Sequence, residues 1–179
     1  MSTTKKIRTS IGNYLYKREL ARLRRTVKAI DLAQVKTAGI IFEADNEANL
    51  KHVRELRKQL PPDAQVTAVG YINKKRENFS YISDKVYNYI SEEDFGFFMR
   101  PKTESIKEFL KTKIDILFVL SHNYLFAIDQ LTGLSNASFK VGQTGAYEKN
   151  LDFFIDTGKN DLNYLISQIV FYLDAIKTR

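Results

Sequence analysis

The sequence predicts an α/β domain on a mainly parallel sheet of about five strands, with a basic helix at its N-terminus. Three observations lead there. Short apolar runs, residues 37–42 and 115–120 being the clearest, have the length and composition of buried strands. Between such runs lie segments whose apolar residues recur at three- and four-residue steps, with enough chain for helical crossovers between parallel strands. Charge is collected at one end. Residues 1–28 hold nine cations, Lys5, Lys6, Arg8, Lys17, Arg18, Arg22, Arg24, Arg25 and Lys28, against the single anion Glu19; this segment is net +8 in a chain of net +7, and the remainder is −1.

The first element is expected to be a helix from about Ser10, a capping residue, to about Leu32. Tyr16, Leu20, Leu23, Val27 and Ile30 form one narrow apolar stripe, and Lys17, Arg18, Arg22, Arg24, Arg25 and Lys28 cover the rest of its circumference. Ile7, Ile11 and Tyr14 point to the other side, which places a change of direction near Gly12. A strand at 37–42 ends in Glu43, Asp45 and Asn46; either of the last two can cap a helix to Leu60, stopped by Pro61 and Pro62. Residues 65–72 form a second strand. Residues 73–100 read less regularly: a polar loop at 73–78, a tyrosine-rich stretch at 81–90 that suits a hairpin or irregular insertion, and a short strand at 95–99 closed by Pro101. Thr103 then caps a helix to about Lys113. The strand at 115–120 runs into Ser121-His122-Asn123, and a helix from about Asn123 ends at Gly133. Strands at 137–142 and 151–155 follow, then a last helix at 162–176, capped by Asn160 or Asp161, with Leu165, Ile169, Tyr172, Leu173 and Ile176 inward. Together these elements describe a three-layer, Rossmann-like domain over residues 33–179 with a basic amphipathic appendage over 1–32.

Composition narrows the function classes. A chain of 179 residues suits one domain. It has no cysteine, which removes disulfides, thiolate metal sites and cysteine nucleophiles. No stretch approaches the ~20 apolar residues of a membrane span, and the charged first 30 residues contain no signal core, so the expected location is the cytoplasm.

Ligands of open parallel sheets sit beyond the carboxyl ends of the strands, where this chain places Glu43, Asp45, Ser121, His122 and Asn123. His122 could serve there as a general base, with the acids as its orienters or as a metal pair. Helix caps account for the same residue types at the same positions. No glycine-rich phosphate loop follows the first strand, no metal-ligand spacing is present, and no nucleophile elbow occurs, so no cofactor, metal or catalytic residue is assigned. Tyrosines at 81–89 beside Lys74, Lys75 and Arg76 interleave aromatic and basic groups in a way that can stack single-stranded RNA, and equally suits a half-buried strand.

The whole chain resembles an uncharacterised family of small bacterial proteins, a domain of unknown function found mainly in the Bacteroidetes. The basic leader and the runs Thr37-Ala-Gly-Ile-Ile-Phe-Glu-Ala44, Asp115-Ile-Leu-Phe-Val-Leu-Ser121 and Ala137-Ser-Phe-Lys-Val-Gly142 carry the resemblance. That family implies an origin and no activity. Residues 115–142 are similar to part of the acceptor half of heptosyltransferase-like glycosyltransferases; Glu43-Ala-Asp45 stands where those enzymes have a Gly-Asp loop, and the chain lacks room for a nucleotide-sugar domain. Function cannot be argued from such a likeness of fold.

The expected function is that of a non-catalytic binding module whose Lys17, Arg18, Arg22, Arg24, Arg25 and Lys28 contact an anionic partner, RNA or ribosome ahead of an anionic membrane surface. One alternative is a small-ligand or sugar/nucleotide-processing enzyme using the strand ends. Another is an interaction scaffold docking through the stripe that holds Leu23 and Val27.

Overall fold

A computed structural model describes residues 3–73, 81–158 and 161–176, with side chains from residue 7 onward. Six strands form one sheet in which every pairing is parallel: β1 (Thr37–Glu43), β2 (Gln65–Ile72), β3 (Tyr87–Ser91), β4 (Ile114–Leu120), β5 (Ala137–Gln143) and β6 (Phe153–Ile155), in the order β3-β2-β1-β4-β5-β6. The chain steps outward from β1 through β2 to β3, then returns to lay β4 on the other side of β1. That return is where the strand order reverses.

The helices are α1 (Thr3–Leu20), α2 (Glu47–Gln59), α3 (Glu104–Lys111), α4 (Phe126–Leu134) and α5 (Leu162–Ala175). Ile40 and Phe42 of β1, Ile116, Phe118 and Leu120 of β4, and Val141 of β5 pack with Leu50, Val53 and Leu56 of α2 and Leu165, Ile169 and Leu173 of α5. The alternate residues Ile41, Leu117 and Val119 face Ile106 and Phe109 of α3 and Ala127, Ile128 and Leu131 of α4. Burial on both faces explains why β1 and β4 are continuous apolar runs rather than alternating ones. The three-layer, Rossmann-like architecture is present, with six strands where about five were expected.

Capping residues set two of the helix starts. Asn46, rather than Asp45, caps α2 through the Asn49 amide at 2.9 Å. Asp161 accepts from the amides of Asn163 and Tyr164 to start α5. Four other expectations need correction. Residues 87–91 are a parallel edge strand, not a hairpin. Residues 95–101 form a tight turn, with Phe95 bridged to Pro101, Gly96 N donating to Arg100 O at 2.8 Å and Met99 in the left-handed region at φ 57°. Helix α4 begins at Phe126 and contains Gly133; Asn123 lies in the loop before it. Tyr172 faces outward, 44% exposed.

The largest correction concerns the N-terminus. The first helix spans Thr3–Leu20 and is unbroken at Gly12. Gly12 marks a close approach, since a Cβ there would sit 2.7 Å from the carbonyl oxygen of Phe98. From Leu23 to Ile30 the chain is a non-helical strap. Strand β6 pairs only with the last three residues of β5, which leaves the beginning of that strand without a neighbour on one side. The strap occupies this place: Lys28 N donates to Ser138 O at 3.0 Å, and Ala29 and Ile30 pack against the core. An open sheet edge is a liability, and covering it satisfies backbone groups that a helix would leave unpaired. The helical stripe through Leu23 and Val27 therefore does not exist; Leu23 is half-buried and Val27 is 55% exposed on the strap.

Candidate functional site

Strand order reverses between β1 and β4, and open parallel sheets take their ligands at the crevice such a reversal creates. Glu43 is the last residue of β1, and Ser121, His122 and Asn123 directly follow β4. Ser121 Oγ donates to Glu43 Oε1 at 2.5 Å, and the Asn123 amide donates to the same oxygen at 3.3 Å. The Asn123 side chain reaches Glu43 Oε2 at 3.5 Å. Glu43, Ser121 and Asn123 are thus gathered into one network.

His122 and Asp45 are not part of it. His122 Nδ1 lies 2.5 Å from Gln143 Oε1, which ties β4 to the end of β5. Asp45 accepts from the Asn73 amide at 2.9 Å and ties the ends of β1 and β2 together. The two carboxylates serve different neighbours, and among the described residues no group of three His, Cys, Asp or Glu could hold a metal ion.

The central member of the network was not anticipated from sequence. Tyr147, in the segment after β5, is buried with its hydroxyl 3.0 Å from Ser121 Oγ; it accepts from the Leu125 amide at 3.0 Å and donates to the Asn123 carbonyl. Burial pushes its phenol up to about 12, so it stays protonated and acts as a donor. No local pattern marks it, because its partners are more than twenty residues away. Chemically the cluster is a clasp. Ser121 is 4% exposed and its proton is directed at Glu43, so Oγ is covered and already engaged.

A second polar cluster lies beside it. Tyr16 of α1 donates to the Asp129 carbonyl at 3.0 Å, and Asn150 Nδ2 bonds Tyr16 OH at 2.8 Å and Asp129 Oδ1 at 2.7 Å. Burial raises the carboxyl of Asp129 above its ordinary range. These bonds fasten α1 to α4.

The six N-terminal cations divide into two kinds. Lys17 and Arg18 are exposed on α1; Arg22, Arg24 and Lys28 are exposed at and along the strap; no ion pair among the described residues engages any of the five. Arg25 is different. It forms a two-pronged pair with Asp152, Nη1 meeting Oδ2 at 2.8 Å, and also reaches the carbonyl of Ala137 at 3.2 Å. With both side chains largely covered, Arg25 is committed to holding the strap on β5.

Lys140 of β5 is 1% exposed and donates to the carbonyls of Thr132 and Gly133 at 2.7 and 2.9 Å, the last turn of α4. Burial, with Arg25 nearby, lowers its amine to about 7 against the opposing pull of Asp152. The tyrosines of 81–89 pack on one another: Tyr81 stacks on Tyr89 with centroids 4.8 Å apart, and Tyr89 belongs to the core. Lys74, Lys75 and Arg76 lie outside the described residues.

A protein-family model for a family of unknown function, DUF6913, matches residues 8–176. The chain belongs to this family. No curated protein and no solved structure matches it. Among the described residues, no helix of this family member is long and apolar enough to cross a membrane.

Proposed function

We propose that the protein is a non-catalytic, cytoplasmic binding module that contacts an anionic partner, RNA or a ribosomal surface, through Lys17, Arg18, Arg22, Arg24 and Lys28. The observation carrying this reading is that +8 of charge is confined to residues 1–28, while five of these cations are exposed with no ion pair among the described residues. Unneutralised cations close together raise the energy of the folded chain, and a polyanion relieves that repulsion while releasing its own counterions. Arginine predominates at 17–28, and its planar fork suits phosphate oxygens.

The test is retention of RNA and lipid from lysate at low and at high salt, by the intact protein and by a variant with all five cations changed to glutamine. Removing the whole segment is a poorer control, because it also removes Tyr16 and Arg25 from the packing described above. RNA that is retained by the intact protein alone, and shed in salt, supports the reading. Equal retention by both proteins refutes it, and lipid in place of RNA assigns the surface to an anionic membrane.

A second reading, a small-ligand or sugar/nucleotide-processing site, draws on the meeting of Glu43, Ser121, Asn123 and Tyr147 at the strand-order reversal. It requires the 121–125 loop to open. A thermal-shift screen with sugars and nucleotides, repeated on Glu43→Gln, tests it; a ligand that stabilises both proteins equally, or none at all, ends it.

A further inference from the structure

At the start of β5, on the strap side, lies a cavity of about 300 Å³ lined by Arg24, Arg25, Thr26, Lys113, Asn136 and Ser138. Three elements distant in sequence build it: the strap, the α3–β4 connection through Lys113, and the α4–β5 connection through Asn136. The strap exists here because it covers the open edge of β5, so the cavity is a product of that packing. Arg25 is already neutralised by Asp152. Arg24 and Lys113 are exposed, no ion pair among the described residues engages either, and no described acid lines the cavity. Two hydroxyl-bearing residues and an amide complete the wall.

We infer that this cavity is a phosphate site that receives one phosphodiester of a bound single-stranded RNA, between Arg24 and Lys113. Arg24 and Lys113 both line the cavity with no counter-ion among the described residues, and a tetrahedral anion bound between them would turn their mutual repulsion into two charge-assisted contacts. Hydroxyls and amides are the neutral donors that phosphate sites use to fill the remaining oxygen lone pairs. The volume exceeds that of a bare phosphate, leaving room for part of a sugar. Arg22 and Lys28 flank Arg24 along the chain and are exposed. A concave site of this kind suits a flexible single strand, which can turn a phosphate inward, better than a flat bilayer surface does. Lys113 lies outside the N-terminal segment, and nothing in its local sequence sets it apart from any other surface lysine.

This inference rests on the reading of the basic segment as an RNA-contacting surface, and Lys113 makes the two separable. Binding of a short labelled single-stranded RNA is measured by fluorescence anisotropy across a salt series for three proteins: wild type, Lys113→Gln, and Lys17→Gln/Arg18→Gln/Arg22→Gln. Lys113→Gln is expected to weaken binding roughly tenfold, as for loss of one charge-assisted contact, and to make the salt dependence shallower by about 0.7 in log–log slope, the value for one single-strand phosphate. Its thermal melting is expected to match the wild type, since Lys113 is exposed and has no ion pair among the described residues. If Lys113→Gln binds with wild-type affinity and slope while the triple variant is weakened, the cavity is not a phosphate site and the broader reading stands. If the wild type binds no RNA, both are overturned.

Discussion

Lys140 makes the stability of this protein depend on pH in a direction opposite to that of an ordinary surface lysine. Its amine is 1% exposed, bonded to two carbonyls at the end of α4, and lowered from 10.5 to about 7. Between those two values the unfolded chain holds a proton on this residue that the folded chain has released, so stability rises with pH across the window. Folded and unfolded values of about 7 and 10.5 make the gain from pH 7 to pH 9 about 2 kcal/mol, which in a domain of this size raises Tm by roughly 4–8 °C. A neutral amine still has two protons for the carbonyls of Thr132 and Gly133, so the geometry survives deprotonation. The phenols of Tyr71, Tyr124 and Tyr147 are pushed to about 12 and leave the window clear. The absence of cysteine removes thiol oxidation as a complication at alkaline pH. Urea unfolding followed by far-UV circular dichroism at pH 7, 8 and 9, at constant ionic strength, reads the effect as a rising midpoint at constant slope. Lys140→Met lacks the ionisable group, and its midpoint should stay level across the same range. Parallel profiles for the two proteins, or a wild-type midpoint that falls toward pH 9, would refute the reasoning.

Three further outcomes follow from the packing. Asp152→Ala should destabilise the protein by about 3 kcal/mol or more, because it leaves the guanidinium of Arg25 covered and without its counter-charge; the same urea titration reads the loss, and a change within 0.5 kcal/mol would mean that the strap is not held by this pair. Gly133→Ala, in the interior of α4, would ordinarily gain about 1 kcal/mol of helix propensity, yet its Cβ would lie 2.2 Å from the Tyr16 hydroxyl. It should lower Tm, and the double variant with Tyr16→Phe should recover part of that loss; strict additivity of the two changes would argue against the contact. Tyr147→Phe removes the bonds to Asn123 and Leu125 and should raise hydrogen exchange at the Leu125 amide, with about 1–2 kcal/mol lost overall; an unchanged exchange rate would show that Tyr147 does not hold the 121–125 loop.

Much of the architecture is legible in the sequence because it depends on local signals. The runs that became β1 and β4 are apolar on every residue that faces a helix layer, and only a strand covered on both sides needs that composition. Two helix starts are narrowed to a pair of candidates each, Asp45 or Asn46 and Asn160 or Asp161, since a cap acts through amides two or three residues away. Five strand-end residues stand out on the same footing, and the structure brings Glu43, Ser121 and Asn123 together while directing Asp45 and His122 to other strands. Which neighbour each would choose depends on strand order, which no residue's own sequence neighbourhood records.

The sequence by itself determined an α/β domain with crossover helices, a charge excess collected in residues 1–28, and the absence of thiol chemistry. Tertiary structure alone decided that α1 stops at Leu20 and that the next residues form a strap. Helical periodicity through Tyr16, Leu20, Leu23, Val27 and Ile30 was genuine, but an uncovered length of β5 offered backbone and charged partners at Ser138 and Asp152 that an isolated helix could not match. The same packing withdrew Arg25 from the surface and brought Lys113 alongside Arg24. Periodicity reports what a segment can bury on its own axis; the place where it binds is set by whichever edge the rest of the fold leaves open.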